Sequence, residues 1–433
     1  MDPGENKPEP PQVSQVVEHL FRHEAGKMVA TLTRIFGLEH LALAEDVVQE
    51  TLARALQTWP FYGVPANPAA WIMRASRNLA LDVVRREKNF RSKEPEIIRL
   101  SEDQHSGPGL PVFAADEISD DRLRMMFVCC HPLIPAEGQV ALALKTLCGF
   151  GVAEIARAFL TTDAAIAKRL TRVKQKIAEA QIRFEIPAGP ELARRLDGVL
   201  QSLYFLFNEG YKASAGDKLV REDICAEAIR LATLLAEHPA GNQPRTHALL
   251  ALMLLNAART PARVDDDGNL LRLREQDRTR WSRPMIARGM FHLAQSAAGG
   301  EMSEYHLQAA IAACHCAAKD YISTDWTDIL TLYEQLMKID NSPVVALNHA
   351  VALGEVKGPQ AAIAAATAIP DRKSLESYHL YHAALGEFEW RLDHFEVASA
   401  HFQRALQLAE LKSERAFLSK RLQECEHAAA PTR

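Results

Sequence analysis

The chain has 433 residues, 48% of them hydrophobic, with 50 basic and 55 acidic side chains for a net charge of −5. That balance excludes a polyanion binder by bulk composition, so any contact with nucleic acid has to come from a local basic patch. The length predicts about two to four domains, no apolar run approaches the roughly 18 residues of a membrane helix, and seven scattered cysteines fit free thiols in a reducing cytoplasm.

The first stretch, MDPGENKPEPP, is charged and Pro-rich, with no apolar secretory core, and residues 1–12 are expected to be a disordered tail. Over 13–36 the apolar positions Val16, Val17, Leu20, Phe21, Met28, Val29, Leu32 and Ile35 recur at helical spacing. Residues 44–86 then read AEDVVQETLARALQTWPFYGVPANPAAWIMRASRNLALDVVRR, which predicts two amphipathic helices around a break carrying Phe61, Tyr62, Gly63 and Pro65. On the first helix Val47, Thr51, Leu52, Ala55 and Leu56 are expected to face a core. Glu45, Asp46, Gln49, Glu50 and Arg54 fall largely on the other side. On the second, Trp71, Ile72, Ala75, Leu79 and Val83 make the expected buried stripe, with Arg74, Arg77, Asn78, Arg85 and Arg86 pointing away. From Arg74 to Lys93 there are seven basic residues against two acidic ones, so this is the local patch that bulk composition lacks. An acidic face, an aromatic break and a basic helix in succession point to a surface that takes protein and nucleic acid side by side.

A helical domain over 13–90 is followed by a linker over 91–117, broken by Gly107, Pro108, Gly109 and Pro111. Residues 118–182 predict a second helical domain. Within it, GVAEIARAFLTTDAAIAKRLTRVKQKI has the form of a helix-turn-helix: Thr161 and Thr162 supply the turn, and Thr162 or Asp163 caps the next helix. Ile166, Leu170 and Val173 anchor that helix, leaving Ala164, Ala165, Lys168, Arg169, Arg172, Lys174 and Lys176 outward. Small residues at its start permit close approach to a groove, and the cations behind them suit phosphates. Cys129, Cys130 and His131 are adjacent, not spaced like ligand pairs, and are expected as core and surface residues of one helix with no metal. Cys314, His315 and Cys316 are taken the same way.

These residues resemble the sigma-70 family, and specifically its extracytoplasmic-function (ECF) type. AEDVVQETLARALQ is similar to the part of region 2 that docks on core RNA polymerase, and AAWIMRASRNLALDVVRR to the part that meets the −10 promoter element. AEIARAFL and IAKRLTRVKQKI resemble the two helices of region 4, which reads the −35 element, although Ala167 stands where many members carry Lys. The resemblance implies polymerase contacts from Glu45, Asp46, Gln49, Glu50 and Arg54. It implies −10 contacts from Phe61, Tyr62, Arg74, Arg77, Asn78, Arg85 and Arg86, with the aromatic loop holding a flipped base. For the −35 element it implies Thr161, Thr162, Ala164, Ala165, Lys168, Arg169, Arg172 and Lys174.

From 187 to 425 the chain is Ala- and Leu-rich and helical throughout. LGEFEWRLDHFEVASAHFQRALQLA fits the tetratricopeptide (TPR) pattern, with Leu385, Gly386, Ala398, Phe402 and Ala405 interlocking two helices. An earlier unit repeats the LGE triplet at Leu353–Glu355, offset by 32 residues. The whole chain is thus expected to be all-α, and it is similar to sigma factors with a fused C-terminal TPR-like domain. That domain is expected to modulate activity in cis or to bind a protein partner. No nucleotide-binding or nucleophile motif is present, so neither an enzyme nor a cofactor is expected. Two other readings remain at this stage: a TPR-type adaptor, and a conventional helix-turn-helix regulator binding duplex DNA without polymerase.

Overall fold

The computed structural model describes residues 24–86, 120–180, 189–213, 220–266, 269–370 and 372–429, with positions 13, 16, 17, 20 and 118. The expected tail over 1–12, the linker over 91–117 and the basic residues Lys88, Arg91 and Lys93 lie outside the described residues. The fold is all-α: helices and short 3₁₀ turns, with an isolated antiparallel bridge between Val264 and Leu270 and no sheet among the described residues. None of the described helices is long and apolar enough to cross a membrane. Two compact units divide the chain. The first comprises residues up to Ser202 with His238–Ala240, and the second comprises Leu203–Glu237 with Gly241 onward.

In the first unit, α1 (Ala25–Phe36), α2 (Leu41–Tyr62) and α3 (Pro68–Arg86) share a core of Met28, Leu32, Phe36, Val47, Leu52, Trp59 and Ile72. Leu56 is not part of it, being 44% exposed. The innermost residues of α3 are Ile72, Ser76 and Ala80, four apart, while Trp71, Ala75, Leu79 and Val83 are half-buried. The stripe is rotated because a polar pair sits inside it. Ser76 Oγ donates to Thr51 Oγ1 at 3.0 Å, and Thr51 in turn donates to the Val47 carbonyl at 2.8 Å. A buried hydroxyl with partners costs little, and two small side chains let the helices approach closely.

The same unit continues through α4 (Asp121–Cys129), α5 (Ala136–Leu147), α6 (Val152–Ala158), α7 (Asp163–Glu179) and the first part of α8 (Pro190–Tyr211). Asp120 caps α4 by accepting from the Leu123 N–H at 2.9 Å. Cys129 and Cys130 are both buried and His131 is half-buried, but the expectation of one helix for all three is corrected: α4 stops at Cys129, and Cys130 lies in the turn that follows (φ −85°, ψ 33°). Burial pushes the Cys129 thiol well up and the Cys130 thiol up to about 12, so neither is a ready nucleophile. Helix α1 meets α4 and α5 at very short range. A Cβ on Gly26 would lie 2.2 Å from the Leu147 carbonyl oxygen, so only glycine fits there.

The second unit holds α9 (Glu222–Glu237), α10 (Pro244–Ala257), α11 (Arg283–Ser296), α12 (Glu304–Ala317) and α13 (Trp326–Ile339). It goes on with α14 (Pro343–Lys357), α15 (Pro359–Thr367), α16 (His379–Trp390), α17 (Phe395–Leu408) and α18 (Lys412–Ala429). Helix α10 is apolar nearly all round and buried, the mark of a helix surrounded by others. The pairs α14–α15 and α16–α17 are helical hairpins built on the LGE triplets. A Cβ on Gly354 would come within 2.9 Å of Ala362 Cβ, and one on Gly386 within 2.8 Å of the Phe402 ring, so the triplet's glycine sets how closely each hairpin closes. Ala398, Phe402 and Ala405 are fully buried, as expected.

Candidate nucleic-acid interface

Helix α2 ends on three aromatic residues with opposite fates. Trp59 is 1% exposed and meets Trp71 edge-on with ring centroids 5.4 Å apart. Phe61 and Tyr62, one turn-half later, are 72% and 86% exposed. Water-exposed neighbouring aromatics contribute nothing to the core, so their apolar faces remain open for a planar partner. The break after them is fixed at its far end by Asn67, whose Oδ1 accepts from the Ala70 N–H at 3.1 Å and so starts α3. On α3, Arg74, Asn78 and Arg85 are exposed, and half-buried Arg77 donates to Asn78 Oδ1 at 3.3 Å. The Arg86 side chain lies outside the described residues.

The other face of α2 carries Asp46, Gln49, Glu50 and Arg54, all exposed, with Arg54 Nε 3.0 Å from Glu50 Oε1 in an i, i+4 pair. Glu45 departs from that group. Its side chain is 12% exposed; Oε2 lies 2.5 Å from Lys174 Nζ, and Oε1 accepts from Thr146 Oγ1 at 3.0 Å. Glu45 therefore faces α5 and α7, a placement no helical wheel of α2 could reveal.

Helix α7 begins as expected, with Thr162 accepting from the Ala165 N–H at 3.3 Å. Ile166, Leu170, Val173 and Ile177 are buried. Thr162, Ala164, Lys168 and Arg172 are exposed, and Thr161 and Ala165 are half-buried. Two cations are engaged by carboxylates: Lys174 by the enclosed Glu45, and Arg169, against the Phe159 ring, by the exposed Glu137 at 2.5 Å. The turn before α7 passes through Leu160 at φ 49°, a left-handed conformation normally left to glycine. Among the described residues, no cluster of three or more His, Cys, Asp or Glu is placed to hold a metal ion.

The family described as sigma-70 region 2 matches residues 20–90, which takes in α1, α2 and α3 with their exposed aromatics and arginines. The ECF RNA polymerase sigma factor SigL of Mycobacterium tuberculosis is 30% identical over 146 residues, 34% of this chain and 75% of that protein. The chain belongs to the sigma-70 family. This sigma-70 member is also 40% identical over 403 residues to an uncharacterised protein of Rhizobium meliloti, covering 93% of both chains. Residues 195–297 match a family of unknown function, so the likeness to sigma factors accounts for the first part of the chain and not for this stretch. No solved structure matches.

Proposed function

We propose that this protein is an ECF-type sigma factor that binds core RNA polymerase, recognises −10 and −35 promoter elements and opens the duplex. The observation that carries the reading is the exposure of the Phe61–Tyr62 pair and of Arg74 and Asn78, all inside the stretch matched by sigma-70 region 2. Stacking a base on an aromatic ring is worth about 1–3 kcal/mol. That is comparable to the few kcal/mol needed to unstack a nucleotide. The exposed Asp46, Gln49, Glu50 and Arg54 give the polymerase a charged docking face, with Glu45 joining them if α7 moves away. Helices α6 and α7, taken as a helix-turn-helix, offer Thr161, Thr162, Ala164, Ala165, Lys168 and Arg172 to a major groove, with Arg169 and Lys174 held in reserve by their carboxylates. The hairpins of the second unit, taken as TPR-like, modulate activity in cis. Polymerase performs the chemistry.

Run-off transcription with core polymerase and a promoter library tests the reading. Promoter-specific transcripts that vanish when Asp46 and Gln49 are replaced support it; no transcript and no polymerase binding, from either the full chain or residues 1–186, would leave the adaptor reading.

A further inference from the structure

The segment between α10 and α11 sends two arginines onto the hairpins. Arg272 Nη1 lies 3.1 Å from both carboxylate oxygens of Glu387, and Arg274 Nη2 lies 3.8 Å from Glu355 Oε1. Glu355 and Glu387 are the glutamates of the two LGE triplets, so arginines two residues apart reach equivalent positions on successive hairpins. Each glutamate also has a second arginine from the following hairpin or helix. Arg391 Nη1 lies 2.7 Å from Glu355, and Arg421 Nε lies 2.7 Å from Glu387. At Glu387 the two partners differ in accessibility: Arg421 is 5% exposed and lies over the Trp390 and Phe402 rings, whereas Arg272 is 28% exposed. At Glu355 both are partly open, Arg391 at 27% and Arg274 at 41%. Removing Arg272 and Arg274 therefore leaves both carboxylates paired.

We propose that the face formed by the first helices of these hairpins is a binding site for a peptide with two arginines two positions apart, presented on a 3₁₀ turn like that of Leu273–Glu275. In this state residues 271–275 of the same chain occupy it. Glu355 and Glu387 read the arginines, Arg391 and Arg421 hold those carboxylates in place, and the tandem geometry sets the spacing that is recognised. Tyr321 completes the Arg274 subsite: its ring lies 5.3 Å from that guanidinium, a cation–π distance. A partner bearing such a segment would displace residues 271–275. The proposal deepens the interaction role given above to the second unit, but it is read by binding and not by transcription.

The test uses the full chain and a fluorescein-labelled peptide of its own sequence, NLLRLREQ, followed by anisotropy. Wild type should bind it weakly, R272A/R274A at least tenfold more tightly, and R272A/R274A/E355Q/E387Q no better than wild type. Equal affinity in the first two, or tightening that survives loss of the glutamates, overturns the proposal without touching the transcription reading. The wild-type chain gives a second measurement that needs no variant: hydrogen exchange at residues 271–275 should accelerate in excess peptide, and unchanged exchange overturns the proposal.

Discussion

Lys174 of α7 and Glu45 of α2 form an ion pair at 2.5 Å, so a proposed DNA-reading helix and a proposed polymerase-docking helix neutralise each other within one unit. The pair is largely enclosed on the Glu45 side, 12% exposed, and open on the Lys174 side, 36% exposed. Taking Lys174 away leaves Glu45 held by Thr146. Lys174→Met should loosen the contact by about 1–2 kcal/mol, a range set by leaving a charged group short of a partner. Core polymerase should then bind several-fold more tightly by biolayer interferometry. Affinity equal to wild type would mean that the pair does not compete with polymerase.

Phe61→Ala and Tyr62→Ala should leave thermal stability within about 0.5 kcal/mol of wild type, since neither ring is in the core. Promoter opening, followed by 2-aminopurine fluorescence, should fall about 5- to 150-fold, the equivalent of one lost base stack. Trp59→Ala is the opposite case. It should destabilise by about 3–5 kcal/mol, as expected for a buried aromatic. Equal loss of opening in variants with equal loss of fold would remove the aromatic pair from the mechanism.

Gly386→Ala should cost about 1–3 kcal/mol through overpacking against the Phe402 ring. Denaturant melts of the full chain check this, with the loss confined to the second unit's transition. Phe402→Leu in the same chain should recover part of it, because the smaller side chain makes room for the added methyl.

Burial, with Arg259 and Arg278 nearby, holds the His315 imidazole down at about 3. The same cause, with His247 beside it, holds His292 at about 4. An unfolded chain takes up these protons near 6.5. Between that value and the folded ones the unfolded state binds more protons, so stability rises with pH and falls on acidification. The second unit should lose up to about 1.4 kcal/mol per pH unit from His315 below pH 6. His315→Asn should flatten that dependence in melts at pH 7, 6 and 5. A slope unchanged by the substitution would show that His315 does not titrate on unfolding.

Helix periodicity carried most of the fold, because heptad-scale apolar spacing reports burial directly: Ile166, Leu170 and Val173 on α7, and Ala398, Phe402 and Ala405 on α17, lie inside as expected. The stripe of α3 was less legible. Ser76 is buried by virtue of Thr51, 25 residues away, and a serine among arginines gives no such signal in sequence. The exposed aromatics were visible because Phe61 and Tyr62 precede a break that no core can follow. Glu45 lies on the helix that periodicity predicts, but its partners come from α5 and α7, about a hundred residues on, and only tertiary structure supplies them. The LGE triplet marks the repeat in the sequence itself. Its glutamate's role needed Arg272 and Arg274, whose own segment has no repeat to announce it.

The row of paired glutamates has a direction. Glu355 takes an arginine from beyond α16, and Glu387 takes one from α18, each reaching forward in the chain. Arg421 also meets Glu424 on its own helix, and no further helix follows α18 among the described residues. A hairpin duplicated between α15 and α16 would therefore inherit an arginine ahead of it and a carboxylate behind. Lengthening the row by duplication is thus electrostatically open in its interior, where each new hairpin finds both charges it needs.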